Sequence, residues 1–193
     1  AKLKTLPWSD DYWPTYKGGI TYRWNQKLGR NVDESIRWSY KLIEDIENLP
    51  VSTSELSPAE KYDLYLGNTD FPLTKYERER TKIMKTIPGD PSYDKDHKIP
   101  EWEGICHAWA PATLQYNNSE PITVVGKKGQ KISFGSSDMH ALLSYHLHLN
   151  KTSKTGFLGS RCNLDFKELK KKIEKKEITQ KELDEKMNSA ECS

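Results

Sequence analysis

A cysteine with a proline five residues behind it limits what residues 102–112 can become. In Trp102-Glu103-Gly104-Ile105-Cys106-His107-Ala108-Trp109-Ala110-Pro111-Ala112 the thiol comes directly after Gly-Ile, beside His107 and between two tryptophans. The run reads as the start of a helix. Pro111 has no N–H to donate and is expected to kink or end that helix after about one and a half turns. A helix start leaves N–H groups unpaired at the positive end of the helix dipole, which favours the thiolate, the nucleophilic form. Trp102 and Trp109 can exclude water, and an indole N–H can donate to a developing oxyanion. Most lone cysteines fill core space. The Gly, His and paired Trp residues around this one point to nucleophilic chemistry instead.

The chain of 193 residues is long enough for one domain with a real core, or for one domain and an appended piece. Thirty Lys and Arg against 28 Asp and Glu leave a net charge of +2, so charge does not drive nucleic-acid binding. No apolar run approaches the length of a membrane span. Ala1-Lys-Leu-Lys-Thr has no apolar stretch behind it, so an exported form is expected to have lost its leader already. CxxC, HExxH, EF-hand and P-loop patterns do not occur, and His146 and His148, two apart, face different sides of a helix. No metal site or required cofactor is expected. Calcium held by scattered acidic side chains stays open.

Three cysteines make an odd count. If Cys162 and Cys192 pair, they close a loop of 29 residues, a closure worth roughly 3–4 kcal/mol, and Cys106 is left as the free thiol. Three reduced thiols in a reducing compartment fit the sequence as well.

Along the chain, residues 6–20 are aromatic and broken by Pro and Gly, an ordered loop lying over the core. Trp24 and Trp38 are expected in the core. Ile36, Tyr40, Ile43 and Ile46 predict a helix over about 33–48. Ser57-Pro58-Ala59-Glu60 is a capping box opening a short helix that ends near Gly67. Thr74 with Glu77 marks a third helix start. Residues 122–125 and 131–134 flank Gly126-Lys-Lys-Gly129, a hairpin signal. Ser136-Ser137-Asp138 opens a helix through Leu147, with Asp138 expected as a cap. Residues 164–193 form a charged helical segment, with a second short helix opened by Thr179 and Glu182. The expected fold class is α+β, helix-rich with a small antiparallel sheet, with a core over 1–163.

Four stretches in order carry a family likeness: Tyr12-Trp-Pro-Thr-Tyr16 with Gly19-Ile20 and Trp24; Leu56 to Asp63; Trp102 to Ala112; and Phe134 to Leu143 with Gly159-Ser-Arg-Cys-Asn163. With these the chain resembles the transglutaminase elicitors, the oomycete cell-wall transglutaminases and their bacterial relatives. The resemblance implies a papain/transglutaminase-like fold and a cysteine acyl transferase with Cys106 as nucleophile. It implies glutamine-bearing protein substrates, amine donors, and a secreted or exported, host-directed protein. Proteins of that kind are expected to continue past a position like Cys192 into a strand with a Phe-His pair, so the base lies there or upstream.

Within the chain, His140 is the expected base, oriented by Asp165 or by Asn163 in its place. His107, about 100° around the helix from Cys106, reads as lining the substrate, with Trp102, Trp109 and Asp138 as further substrate or oxyanion candidates. His97, His146 and His148 read as solvated or core-edge residues. Three functions remain: transamidation of glutamine; hydrolysis of the same thioester by a deamidase or papain-like protease; and a non-catalytic surface or interaction module. The oligomeric state is not legible.

Overall fold

The computed structural model describes residues 6–24, 40, 42, 52–150 and 166–187. The chain divides into two compact units, Ala1–Lys151 and Thr152–Ser193. The class is α+β, helix-rich with a two-stranded antiparallel sheet. The predicted helix at 33–48, Trp38, Asn163, Asp165, Cys162 and Cys192 lie outside the described residues, and with them the disulfide expectation.

In the first unit the aromatic loop does lie over the core: Trp8 and Trp13 are both buried. It continues into two single turns of 3-10 helix, Thr15–Lys17 and Gly19–Thr21. The first helix, α1 (Pro58–Tyr65), starts as its capping box requires. Ser57 Oγ accepts from Glu60 N at 3.2 Å, and Glu60 Oε2 accepts from Ser57 N at 2.9 Å. Glu60 is fully buried, and burial alone would raise its pKa. Arg23, bonded at 2.9 and 2.5 Å, the Arg78 charge and Ser57 overcome that and hold the carboxyl below its ordinary value.

The next helix, α2 (Pro72–Thr81), begins two residues before Thr74, because its cap comes from another helix. Asp63 on α1 accepts from Leu73 N, Thr74 N and Thr74 Oγ1 at 2.8–3.0 Å, which satisfies donors that Thr74 was expected to serve. Phe71 sits at φ 52° in front of it, a left-handed conformation stabilised by burial of its ring.

The cysteine segment forms α3 (Cys106–Gln115). Of the two expected outcomes, a kink or an end, the helix does not end at Pro111: it runs on to Gln115. The missing N–H leaves only the His107 carbonyl, one turn back, without its helical donor. Tertiary packing holds the rest: Ala108 and Ala112, one turn apart and buried, meet Ala141 in the core. Small side chains there let two helices approach closely.

After α3, β1 (Ile122–Val125) and β2 (Lys131–Phe134) pair in the register Ile122 with Phe134 through Val125 with Lys131. Ile132 and Phe134 point inward onto Leu56, Leu64 and Phe71, while Lys131 is exposed, the alternation of a half-buried strand. The last helix of this unit, α4 (Ser136–Leu149), packs along α3. Asp138 caps it as expected, its Oδ2 accepting from Gly135 N at 2.7 Å. Trp24 departs from expectation: it is 36% exposed, set edge-on to Tyr22 and beneath the Lys17 ammonium.

The second unit contains α5 (Phe166–Glu174) and α6 (Gln180–Met187). Thr179 Oγ1 accepts from Glu182 N, and Glu182 Oε2 accepts from Thr179 N, the reciprocal cap read from the sequence. Among the described residues no helix is long and apolar enough to cross a membrane.

Candidate active site

Cys106 is the first residue of α3, and its side chain is exposed. Ile105 accepts from the N–H groups of Ala108 and Trp109, both at 2.9 Å. The N–H groups of Cys106 and His107 meet no acceptor among the described residues. Two free donors therefore stand at the thiol, where an anionic sulfur or oxygen is stabilised.

The aromatic loop fixes this end of the helix. Tyr12 O accepts from Ile105 N at 3.0 Å, Glu103 O from Thr15 N at 2.8 Å, and Glu101 O from Tyr12 Oη at 2.7 Å. Gly104 is required by that approach, since a Cβ there would stand 2.5 Å from Tyr12 O. Trp102 is exposed. Trp109 lies one turn along α3 from Cys106, on nearly the same face, and its buried Nε1–H has no acceptor.

The structure does not bring His140 to Cys106. α3 and α4 run antiparallel: His107, next to the thiol, meets His148 near the end of α4, while His140, eight residues earlier, meets Ser119 beyond the other end of α3. Ten residues separate Cys106 from Tyr116, about 15 Å of helix. His140 is also fully engaged. Nδ1 lies 2.6 Å from Asp10 Oδ2, Nε2 accepts from Ser119 N at 3.4 Å, and the Trp8 ring stacks on it at 3.9 Å and 7°. Because Nε2 accepts, Nδ1 carries the hydrogen donated to Asp10. Trp8 Nε1 in turn donates to Tyr116 O at 3.1 Å. This cluster clamps the aromatic loop to α3 and α4.

At the thiol's own end, His107 Nε2 and His148 Nδ1 are 2.9 Å apart. The sequence reading treated His148 as a core-edge residue and missed this pair, which only the antiparallel packing creates. Burial first, then the charges of Arg80 and His107, push the His148 pKa down to about 4. Arg80 is bonded to Glu77 at 2.5 and 2.8 Å, and Glu77 is completely buried. Burial and the Glu77 carboxylate raise the pKa of Tyr145, whose ring neighbours His148. Asp138 stands at the opposite end of α4, bonded to Lys61 at 2.5 Å, and so is not beside Cys106. Among the described residues, no group of three or more His, Cys, Asp or Glu side chains is arranged to hold a metal ion.

The family model described as Transglutaminase elicitor matches residues 1–177. The chain belongs to the transglutaminase elicitor family. The match includes the aromatic loop, the Cys106 helix, the hairpin, α4 and α5, so the thiol and everything around it lie inside the family's own sequence. No curated protein and no solved structure matches the chain.

Proposed function

We propose that the protein is an exported cysteine acyl transferase that modifies glutamine side chains of proteins, with Cys106 as nucleophile. The observation that carries the reading is the exposed thiol on the first residue of α3 beside two unpaired N–H groups, within a family described by its transglutaminase relation.

In the proposed reaction the Cys106 sulfur attacks the γ-carboxamide carbon, and its proton passes to the His107–His148 pair. The Cys106 and His107 N–H groups stabilise the tetrahedral oxyanion. The C–N bond then breaks, and ammonia leaves with the returned proton. A primary amine attacks the thioester and gives a proton to the histidine pair, the C–S bond breaks, and the pair returns that proton to the departing sulfur, restoring the Cys106 thiol. No residue described here orients the pair as a carboxylate would. An orienting Asp165 or Asn163, outside the described residues, remains part of the proposal.

A second reading has its own support. Cys106 is open to solvent, so water can compete with the amine, and hydrolysis would make the protein a glutamine deamidase. The experiment is incubation with casein and dansylcadaverine, following both fluorescence incorporation and ammonia. Incorporation that disappears in Cys106→Ser supports transamidation. Ammonia without incorporation supports the deamidase. Neither product from the wild-type chain would leave the non-catalytic elicitor reading standing.

A further inference from the structure

A cavity of about 510 Å³ opens at the N-terminal end of α4. The thiol and His148 lie toward the other end of that helix, about 20 Å away over its 14 residues. The cavity is therefore separate from the proposed reaction centre, and it goes beyond the acyl-transfer reading.

Its chemistry is unusual for a surface hollow. The lining includes the ion pair of Lys61, 2% exposed, with Asp138. Lys61 Nζ gives one hydrogen to Asp138 Oδ2 at 2.5 Å and another to Ser54 O at 3.2 Å, and its third has no acceptor. Asp138 Oδ2 accepts from Lys61 and Gly135, and its Oδ1 accepts from no donor among the described residues. One donor of the buried Lys61 and one acceptor of the half-buried Asp138 are thus left for a ligand at the cavity, on a pair that carries no net charge.

Charge selects the class of ligand. A free anion would face the Asp138 carboxylate, and a cation would face the Lys61 ammonium. A hydroxyl both donates and accepts, so it completes both groups without adding charge. The hydroxyls of Ser136 and Ser137 extend the same chemistry along the wall. Ile122, Phe134 and Trp24 supply apolar surface opposite, and the Trp24 ring stands partly exposed at this cavity. A lone carboxamide would use the ion pair but leave the hydroxyls and the apolar wall unmatched. A sugar ring has hydroxyls at its edge and C–H groups on its faces, and the cavity lies within the roughly 300–1,000 Å³ typical of small-ligand sites.

We propose that this cavity binds a neutral mono- or disaccharide, its hydroxyls on Lys61 and Asp138 and a ring face on Trp24. The test is amide NMR of the full-length Cys106→Ser protein, whose outcome does not depend on acyl transfer. Glucose, galactose, cellobiose and lactose are titrated to about 50 mM, well past a millimolar dissociation constant. At least one sugar should give saturable shifts at Lys61, Ser136, Ser137 and Asp138. Trp24→Ala, at a partly exposed position, should keep the fold and weaken that sugar roughly tenfold. Three results overturn the proposal: no saturable shift at these amides; saturation by phosphate or a glutamine peptide but by no sugar; or unchanged affinity in Trp24→Ala.

Discussion

Replacing His140 with alanine separates a structural histidine from a catalytic one. The side chain is 3% exposed and does three things at once. It stacks on Trp8 at 3.9 Å, a contact worth roughly 0.5–1.5 kcal/mol beyond area burial. It donates to the Asp10 carboxylate at 2.6 Å, a bond to a charged group worth roughly 1.5–3 kcal/mol. It also accepts from Ser119 N, at a length too great to count for much. The first two sum to roughly 2–4.5 kcal/mol, which in a domain of this size lowers the melting temperature by roughly 4–18 °C. Calorimetry at pH 7 measures that. At a temperature where the variant is fully folded, the rate at which iodoacetamide alkylates Cys106 should stay within about twofold of wild type, because the histidine lies near the other end of α3. A variant with an unchanged melting temperature, but with alkylation or transamidation reduced a hundredfold, would refute this reasoning and make His140 the base.

Cys106 should alkylate before any other cysteine in a brief iodoacetamide pulse, read by peptide mapping, since it is exposed at a helix start. Gly104→Ala drives a Cβ to 2.5 Å from Tyr12 O, a backbone atom that cannot yield easily; thermal unfolding should show a loss of about 1–3 kcal/mol. Glu60→Gln removes the charge that compensates Arg23 and Arg78, and denaturant unfolding should show a loss of roughly 3–5 kcal/mol. The His148 pKa of about 4 lies below the ordinary 6.5 of the unfolded chain, so between those values the unfolded state binds a proton that the folded state refuses. Stability should therefore fall as pH drops from 6.5 to about 4, and His148→Gln should flatten that part of a melting-temperature profile.

Much of the fold was written in local signals. Ser57 with Glu60, Thr179 with Glu182 and the alternation of Ile132 and Phe134 act within a few residues, and each formed where its chemistry put it. Where the sequence misled, the deciding partner was distant in the chain. Asp63 caps α2 from nine residues before its first helical residue, Pro72, and displaces Thr74 from that role. The Pro111 helix continues because Ala108 and Ala112 are packed in the core with Ala141.

The candidate site divides the same way. The setting of Cys106 was legible because it depends on its own neighbours: an exposed side chain at a helix start, beside N–H groups that meet no acceptor among the described residues. Which histidine lies nearest the thiol was not, because helix periodicity fixes which face His140 or His148 occupies but not which end of α4 meets the thiol. That choice belongs to the aromatic loop. Trp8 contacts Tyr116 and Tyr12 contacts Ile105, so four residues of extended chain, at most about 14 Å, run along α3 in the opposite sense. Asp10, inside that span, holds His140 on the far side of the seam. The one residue of this clamp that sequence reasoning could have weighed is Asp10: an acid set between Trp8 and Trp13 in the sequence asks for a partner. With His140 so engaged, the His107–His148 pair is left as the imidazole chemistry at the thiol's end of α3.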